Sequence, residues 1–124
     1  MILVDTSVWV DHLRKTESKL SEHLDTGDVL MHPMIIGEIA CGNLPSRTET
    51  LKNLNALPRI DAQDDQKVLS LVDSQLLMGR GIGYIDAHLI CSVLNRQGTS
   101  LWTRDRRLKQ VAEELGVAYP EQHF

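Results

Sequence analysis

The sequence predicts an α/β domain in which a central parallel sheet of four to five short strands is flanked by helices. Short apolar runs alternate with longer stretches of helical periodicity along the chain, and this alternation is typical of βαβ units. The chain has 124 residues, enough for one core but not two, so residues 1–124 are expected to form a single domain. Its 42% hydrophobic and 24% charged content fits a globular protein.

The first half is predicted to contain two strands and four helical segments. Each strand is a short apolar run, and Gly27, Gly42 and Pro58 mark helix ends. Ser46 is a possible cap, with Glu49 in capping-box position three residues later. The predicted elements are a strand at 2–4, helices at 7–13 and 20–24, a strand at 29–32, and helices at 34–41 and 46–56.

The second half repeats the same alternation. Asp61 is predicted to cap a long amphipathic helix, and three glycines at 79, 81 and 83 interrupt the chain before the next one. The predicted elements are a short strand at 59–60, helices at 61–78 and 85–96, a strand at 100–103, a helix from 104 to about 116, and a closing strand at 117–119.

Charge and composition exclude some classes of protein. A net charge of −4 argues against nucleic-acid binding through an overall positive field, although bound divalent cations could reverse the sign locally. The first apolar run breaks at Asp5, so neither a secretory signal nor a membrane span is expected, and the expected location is the cytoplasm. Cys41 and Cys91 lack the spacing of a zinc site or disulfide framework.

Four acidic residues occupy positions where strands and helices meet. Asp5 and Asp105 each follow an apolar strand, so a parallel sheet should bring both to the same edge. Asp86 falls in the first turn of its helix, where the dipole favours an anion, and Glu38 lies on a face otherwise apolar or small. Clustered carboxylates take up protons or hold a cation, and oxygen ligands alone suit Mg²⁺ or Mn²⁺. These residues predict a metal centre for phosphoryl transfer.

Taken singly, each of these acids has a simpler explanation. Asp86 and Asp105 are both good helix caps, and any one carboxylate could be a solvated surface group. The basic residues Arg104, Arg106 and Arg107 surround Asp105, where they could guide a phosphate towards the acids or form a solvated basic face. Only the convergence of all four acids on one edge favours a functional site.

Four segments together resemble the successive motifs of one enzyme family. They are VDTSVWVD at 4–11, EIA at 38–40, GYIDAHL at 83–89 and LWTRDRRL at 101–108. In order and spacing they look like the motifs of PIN-domain ribonucleases, specifically the VapC toxins of bacterial toxin–antitoxin modules. The resemblance covers essentially the whole chain and implies a parallel sheet that gathers acids into an RNA-cleaving site dependent on Mg²⁺, with Mn²⁺ a possible substitute.

The resemblance also implies roles for individual residues. The acidic catalytic quartet would be Asp5, Glu38, Asp86 and Asp105, of which Asp5, Asp86 and Asp105 would bind the metal. Supporting hydroxyls would come from Thr6, Ser7 and Thr103. Apart from the resemblance, the charge placed beside Asp105 makes Arg104, Arg106 and Arg107 possible contacts for RNA phosphate. The implied reaction is in-line hydrolysis of RNA by metal-activated water, leaving a 5′-phosphate and a 3′-hydroxyl. Glu38 could be a ligand or a general base.

Partners follow from the same resemblance. Such toxins usually form homodimers, and a cognate VapB-like antitoxin silences them by laying its carboxyl-terminal segment across the active-site groove. The residues themselves agree to the extent that an anionic pocket attracts Arg or Lys side chains.

Two other classes of function remain open at this point. A phosphatase of the haloacid-dehalogenase type also places an Asp after its first strand, but it would have a second Asp two residues later, where this chain has Ser7. A non-catalytic module could instead use the acids to hold a basic partner peptide.

Overall fold

The computed structural model describes residues 1–121, which form a parallel sheet surrounded by seven helices. None of the helices in this part of the chain is both long and apolar enough to cross a membrane. In chain order the elements are β1 (Ile2–Val4), α1 (Thr6–Arg14), α2 (Ser18–Thr26), β2 (Val29–Leu30), α3 (Pro33–Ala40), α4 (Arg47–Asn55), α5 (Asp65–Ser74), α6 (Tyr84–Leu94), β3 (Ser100–Trp102) and α7 (Arg106–Glu114).

The sheet has the strand order β2-β1-β3, and both pairings are parallel. Isolated parallel bridges widen it on both sides, joining Arg59 to Met31 beside β2 and Ala118 to Leu101 beside β3. The predicted α/β class is confirmed. Its predicted strands at 59–60 and 117–119 are present only as these two bridges, which explains why three full strands stand where four to five were expected.

The central strand β1 fixes the geometry of the sheet edge. Every residue of β1 is buried, so both faces of the sheet are covered, as its uninterrupted apolar sequence requires. Val4 pairs with Trp102, the last residue of β3, and the backbone N–H of Asp5 donates to the Trp102 carbonyl at 2.8 Å. The residues that follow the two strands, Asp5 and Thr103, are therefore neighbours at one edge.

Two predicted features of α5 are wrong. Asp64, not Asp61, caps the helix, because its side chain accepts a hydrogen bond from the backbone N–H of Lys67 at 2.8 Å. The helix ends at Ser74 rather than at residue 78, because Leu76 adopts a left-handed conformation with φ of 54° that an α-helix cannot continue.

The capping box predicted for α4 is also wrong. Ser46 has a left-handed φ of 49°, and its side chain makes no capping hydrogen bond. The carbonyl of Ser46 instead accepts from the backbone N–H of Thr50, while Arg47 donates to the carbonyls of Ala40 and Gly42. These contacts join the start of α4 to the end of α3.

Strand β2 is shorter than predicted because His32 begins the next helix. The Nδ1 atom of His32 accepts a hydrogen bond from the backbone N–H of Met34 at 3.1 Å, which caps α3, and Pro33 occupies the first helical position. His32 is fully buried. The orientation of α3 therefore depends on a neutral imidazole at its amino terminus.

Candidate active site

Asp5 is the most enclosed of the four predicted acids. It is 6% exposed, and its Oδ2 accepts hydrogen bonds from the hydroxyls of Ser7 and Thr103, both at 2.8 Å. Thr103 reaches Asp5 because β1 and β3 end at the same level of the sheet. Within residues 1–121 the second oxygen, Oδ1, has no hydrogen-bond partner.

The two hydroxyls that hold Asp5 are themselves fixed by the backbone. Ser7 accepts from the N–H of Arg104 at 3.0 Å, and Thr103 accepts from the N–H of Asp105 at 3.1 Å. Each hydroxyl thus donates to Asp5 and accepts from the chain after β3, so the carboxylate has a defined orientation. Two charge-assisted bonds offset much of the cost of burying this charge.

Glu38 approaches the site from α3. Its side chain is exposed although its neighbour Ile39 is buried, and its Oε1 accepts from the hydroxyl of Thr6 at 2.8 Å. Thr6 is the first residue of α1, directly after Asp5. The predicted hydroxyl group at Thr6 therefore orients Glu38 rather than Asp5.

Asp86 lies in the first turn of α6, where its Oδ2 accepts from the backbone N–H of Gly83 at 3.0 Å. Burial raises the pKa of the Asp86 carboxyl, and the charges of Asp5, Asp105 and Glu38 raise it further, while the hydrogen bond from Gly83 opposes the change. The other three predicted acids are thus close enough to act on Asp86. Sequence reasoning did not identify Gly83 as a partner of Asp86, although its spacing three residues before Asp86 is that of a capping box.

Asp105 caps α7 and belongs to the acidic cluster at the same time. Its Oδ1 accepts from the backbone N–H groups of Arg107 and Leu108, both at 3.0 Å. Its side chain is exposed, and it is one of the charges that act on Asp86. The simple explanation as a helix cap is correct for one of its oxygens, while the other has no hydrogen bond from residues 1–121.

The donor set of the cluster fits a hard cation. Asp5, Asp86 and Asp105 each use one carboxylate oxygen locally and retain a second. Within residues 1–121, no three Asp, Glu, His or Cys side chains are placed to hold a metal ion by themselves. Such an incomplete shell suits Mg²⁺, which binds one or two carboxylates and fills its other positions with water and phosphate oxygens.

The three arginines near Asp105 differ in their contacts, and the guanidinium of Arg104, predicted to contact phosphate, binds carboxylates of this chain. It donates to Asp11 at 2.7 Å, Glu17 at 3.0 Å and Glu121 at 2.6 Å. Hydrogen bonds to Glu121 and Glu17 hold the pKa of Arg104 above its usual range. Because these carboxylates occupy its donors, Arg104 is structural, joining α1 and the chain after it to residue 121.

A second polar group that the sequence did not indicate lies beside α6. Asp65 accepts from the hydroxyl of Tyr84 at 2.7 Å, and its Oδ1 is 3.1 Å from Nε2 of His88. His88 is 2% exposed, so the pair fixes α5 against the start of α6. No regular spacing of histidines could have revealed this contact, because Asp65 is 23 residues from His88.

Comparisons with known proteins agree with this geometry. The model of the PIN domain family matches residues 2–114. Ribonuclease VapC32 from two strains of Mycobacterium tuberculosis, CDC 1551 / Oshkosh and ATCC 25618 / H37Rv, is 43% identical over 122 residues, which cover 98% of each chain. The crystal structure of PAE2754 from Pyrobaculum aerophilum superposes with a TM-score of 0.65 at 18% identity, covering 95% of this chain and 87% of that one, and supports the fold alone. The chain therefore belongs to the PIN domain family, and within it to the VapC type of PIN ribonucleases.

Proposed function

We propose that this protein is a Mg²⁺-dependent endoribonuclease and the toxin of a VapBC-type toxin–antitoxin system. The observation that carries the proposal is the crowding of acids around Asp86. Its pKa is raised first by burial and then by the charges of Asp5, Asp105 and Glu38, and a divalent cation would relieve both effects. The 43% identity to a protein named Ribonuclease VapC32 supports the choice of RNA as substrate. It does not support a phosphatase of the haloacid-dehalogenase type, and Ser7 stands where that enzyme would have its second Asp.

Asp5, Asp86 and Asp105 would hold the metal together with water and phosphate oxygens that complete its shell, with Mn²⁺ as a possible substitute for Mg²⁺. When bound, the cation would supply activation of water and neutralisation of charge on the phosphate. The protein orients the ligands before the metal binds, as Ser7 and Thr103 do by donating hydrogen bonds to Asp5. A carboxylate locked in this way loses little side-chain entropy on binding.

Glu38 is the acid best placed to exchange protons with the substrate. It is exposed, and within residues 1–121 its side chain is held through Oε1 by Thr6. Its role would be either to complete the metal site or to take a proton from the attacking water, whose in-line attack would leave a 5′-phosphate and a 3′-hydroxyl.

An antitoxin of the VapB type is the proposed partner. A groove of about 360 Å³ opens beside Glu38, lined by apolar residues of α1, of α3 and of the chain after α3, among them Leu13, Ile39 and Leu44. An extended segment could bury apolar side chains here and place a basic one beside the acids. The expected finding is a short reading frame next to the coding region whose product stops RNA cleavage; a product that leaves cleavage unchanged would contradict this partner.

The protein is further proposed to be a homodimer. It would act in the cytoplasm, where RNA and antitoxin are made. Leu69, Met78 and Tyr84 are exposed and line one shallow depression between α5 and α6. Exposed apolar side chains that share one surface are typical of an interface. Sedimentation of the purified protein as a monomer at micromolar concentration would argue against the dimer.

The test compares two variants that remove one negative charge each. Asp5→Asn should abolish Mg²⁺-dependent cleavage of RNA while retaining the fold. Asp25→Asn is the matched control, because Asp25 is exposed on α2 and is not among the charges that act on Asp86. Fragment 5′ ends mapped after induced expression of both variants would identify the RNA substrate as well.

Full activity of Asp5→Asn would reject the proposed metal site. Wild-type protein that cleaves no RNA with Mg²⁺ or Mn²⁺, yet binds a basic peptide, would instead identify a non-catalytic binding module.

A further inference from the structure

Arg107 of α7 lies directly across the glycine loop that precedes α6. A Cβ atom at residue 81 would be 2.5 Å from Nη1 of Arg107 and 2.6 Å from its Cδ. Gly81 also has a φ of +80°, a conformation that L side chains rarely adopt. Residue 81 must therefore lack a side chain for Arg107 to keep this position.

The glycine loop and α7, which meet at this contact, each donate a backbone hydrogen bond to an acid of the cluster. Gly83, two residues after Gly81, donates its backbone N–H to Asp86 at 3.0 Å. The backbone N–H of Arg107 donates to Asp105, also at 3.0 Å. The loop and α7 thus hold the Arg107 side chain at the edge of the sheet where the acids gather.

Arg107 combines a defined position with an unpaired charge, and neither neighbouring arginine does. The guanidinium of Arg104 is occupied by carboxylates. Arg106 and Arg107 are both exposed and make no ion pair within residues 1–121. Of the two, Arg107 is the one whose side chain packs against Gly81. A cation held in place without a carboxylate partner is available for an external anion and loses less entropy on binding it.

We propose that Arg107 binds a phosphate of the RNA substrate next to the one at the acids, and that Gly81 is a positioning residue that acts through Arg107. This inference rests on the proposed ribonuclease function. It assigns one backbone phosphate of single-stranded RNA to the side of the cluster formed by Asp86 and Asp105. A phosphate contact of this kind fixes the register of the strand without reading its sequence.

Gly81→Ala and Gly79→Ala form a matched pair for the test. Both glycines have positive φ, +80° and +71°, so alanine imposes similar backbone strain at each. A Cβ at residue 79 meets nothing within 4 Å, whereas one at residue 81 displaces Arg107. Because the displaced atoms belong to the end of a flexible side chain, both variants should fold, with similar melting temperatures.

Steady-state cleavage of a single-stranded RNA at several salt concentrations gives the readout. Relative to Gly79→Ala, Gly81→Ala should raise KM about fivefold to tenfold with little change in kcat, as expected for loss of one phosphate contact. The negative slope of log(kcat/KM) against log salt should also become less steep, by about 0.7. Arg107→Ala should reproduce both the rise in KM and the change in salt dependence, and Arg106→Ala should change both less than Arg107→Ala does. The double variant Gly81→Ala/Arg107→Ala should behave like Arg107→Ala alone, because the glycine acts through the arginine.

Equal kinetics of the two glycine variants would overturn the inference. So would an effect of Gly81→Ala that persists in the Arg107→Ala background, or a loss confined to binding of a partner protein with KM for RNA unchanged. Failure of the proposed function would look different, because the wild-type protein itself would then cleave no RNA.

Discussion

His32 is expected to make the protein lose stability in mildly acidic solution. Burial, together with proton repulsion by the nearby His88 and Arg59, lowers the pKa of this imidazole from 6.5 to about 4. Neutral Nδ1 caps α3 by accepting from Met34, so the proton lies on Nε2, which has no partner within residues 1–121. Protonating Nδ1 would remove the cap from the helix that carries Glu38.

The sign and size of the effect follow from linkage. The pKa of about 4 in the folded state is below that of the unfolded chain, so the unfolded state binds the proton first as the pH falls. Stability is therefore fully present above pH 6.5 and is lost towards pH 4. The loss amounts to about 2 kcal/mol at pH 5 and about 3 kcal/mol in full.

The assay is urea unfolding at pH 7 and pH 5, followed by fluorescence of the buried Trp9 and Trp102. His32→Asn is the control, because an Asn oxygen can accept the same capping bond and does not titrate in this range. The wild type should lose about 2 kcal/mol more than the variant between the two pH values. Equal losses would contradict the role given to His32.

Two further predictions concern the contacts that hold the site. Thr103→Val keeps the shape of a buried side chain but removes its hydrogen bond to Asp5. The free energy of unfolding should fall by about 2 kcal/mol, and metal affinity should fall about tenfold. Unchanged metal affinity in calorimetry would argue that Thr103 does not orient Asp5 for the metal. Arg104→Gln should destabilise the fold by about 1–2 kcal/mol in urea unfolding, because the half-exposed Asp11 and the more enclosed Glu121 lose their shared cation. The salt dependence of RNA cleavage should stay that of the wild type, and a weaker dependence would restore Arg104 as a phosphate contact.

Much of the fold could be predicted because its signals are local. The apolar run at 2–4 and the following Asp5 indicate a strand that delivers a carboxylate to the sheet edge, and parallel pairing brings Thr103 to the same place. Helix ends at glycines were also recognisable, as at Gly27, whose φ is +75°.

Other features depend on tertiary contacts or backbone strain that no spacing rule reports. Left-handed Ser46 and Leu76 break the helical pattern although neither residue type favours that conformation. The ion pairs of Arg104 could not be predicted, because one of its partners, Asp11, is 93 residues away in sequence. Likewise, the contact between Arg107 and Gly81 could not be predicted, because it forms only when α7 packs against the glycine loop.

The most direct test of the proposed metal site is Mn²⁺ or Mg²⁺ binding measured by titration calorimetry. Wild-type protein should bind the cation, and Asp86→Asn should lose most of that binding, because Asp86 lies among Asp5, Glu38 and Asp105. Asp25→Asn should bind as the wild type does. Unchanged binding by Asp86→Asn would contradict the metal site and leave Asp86 as a helix cap.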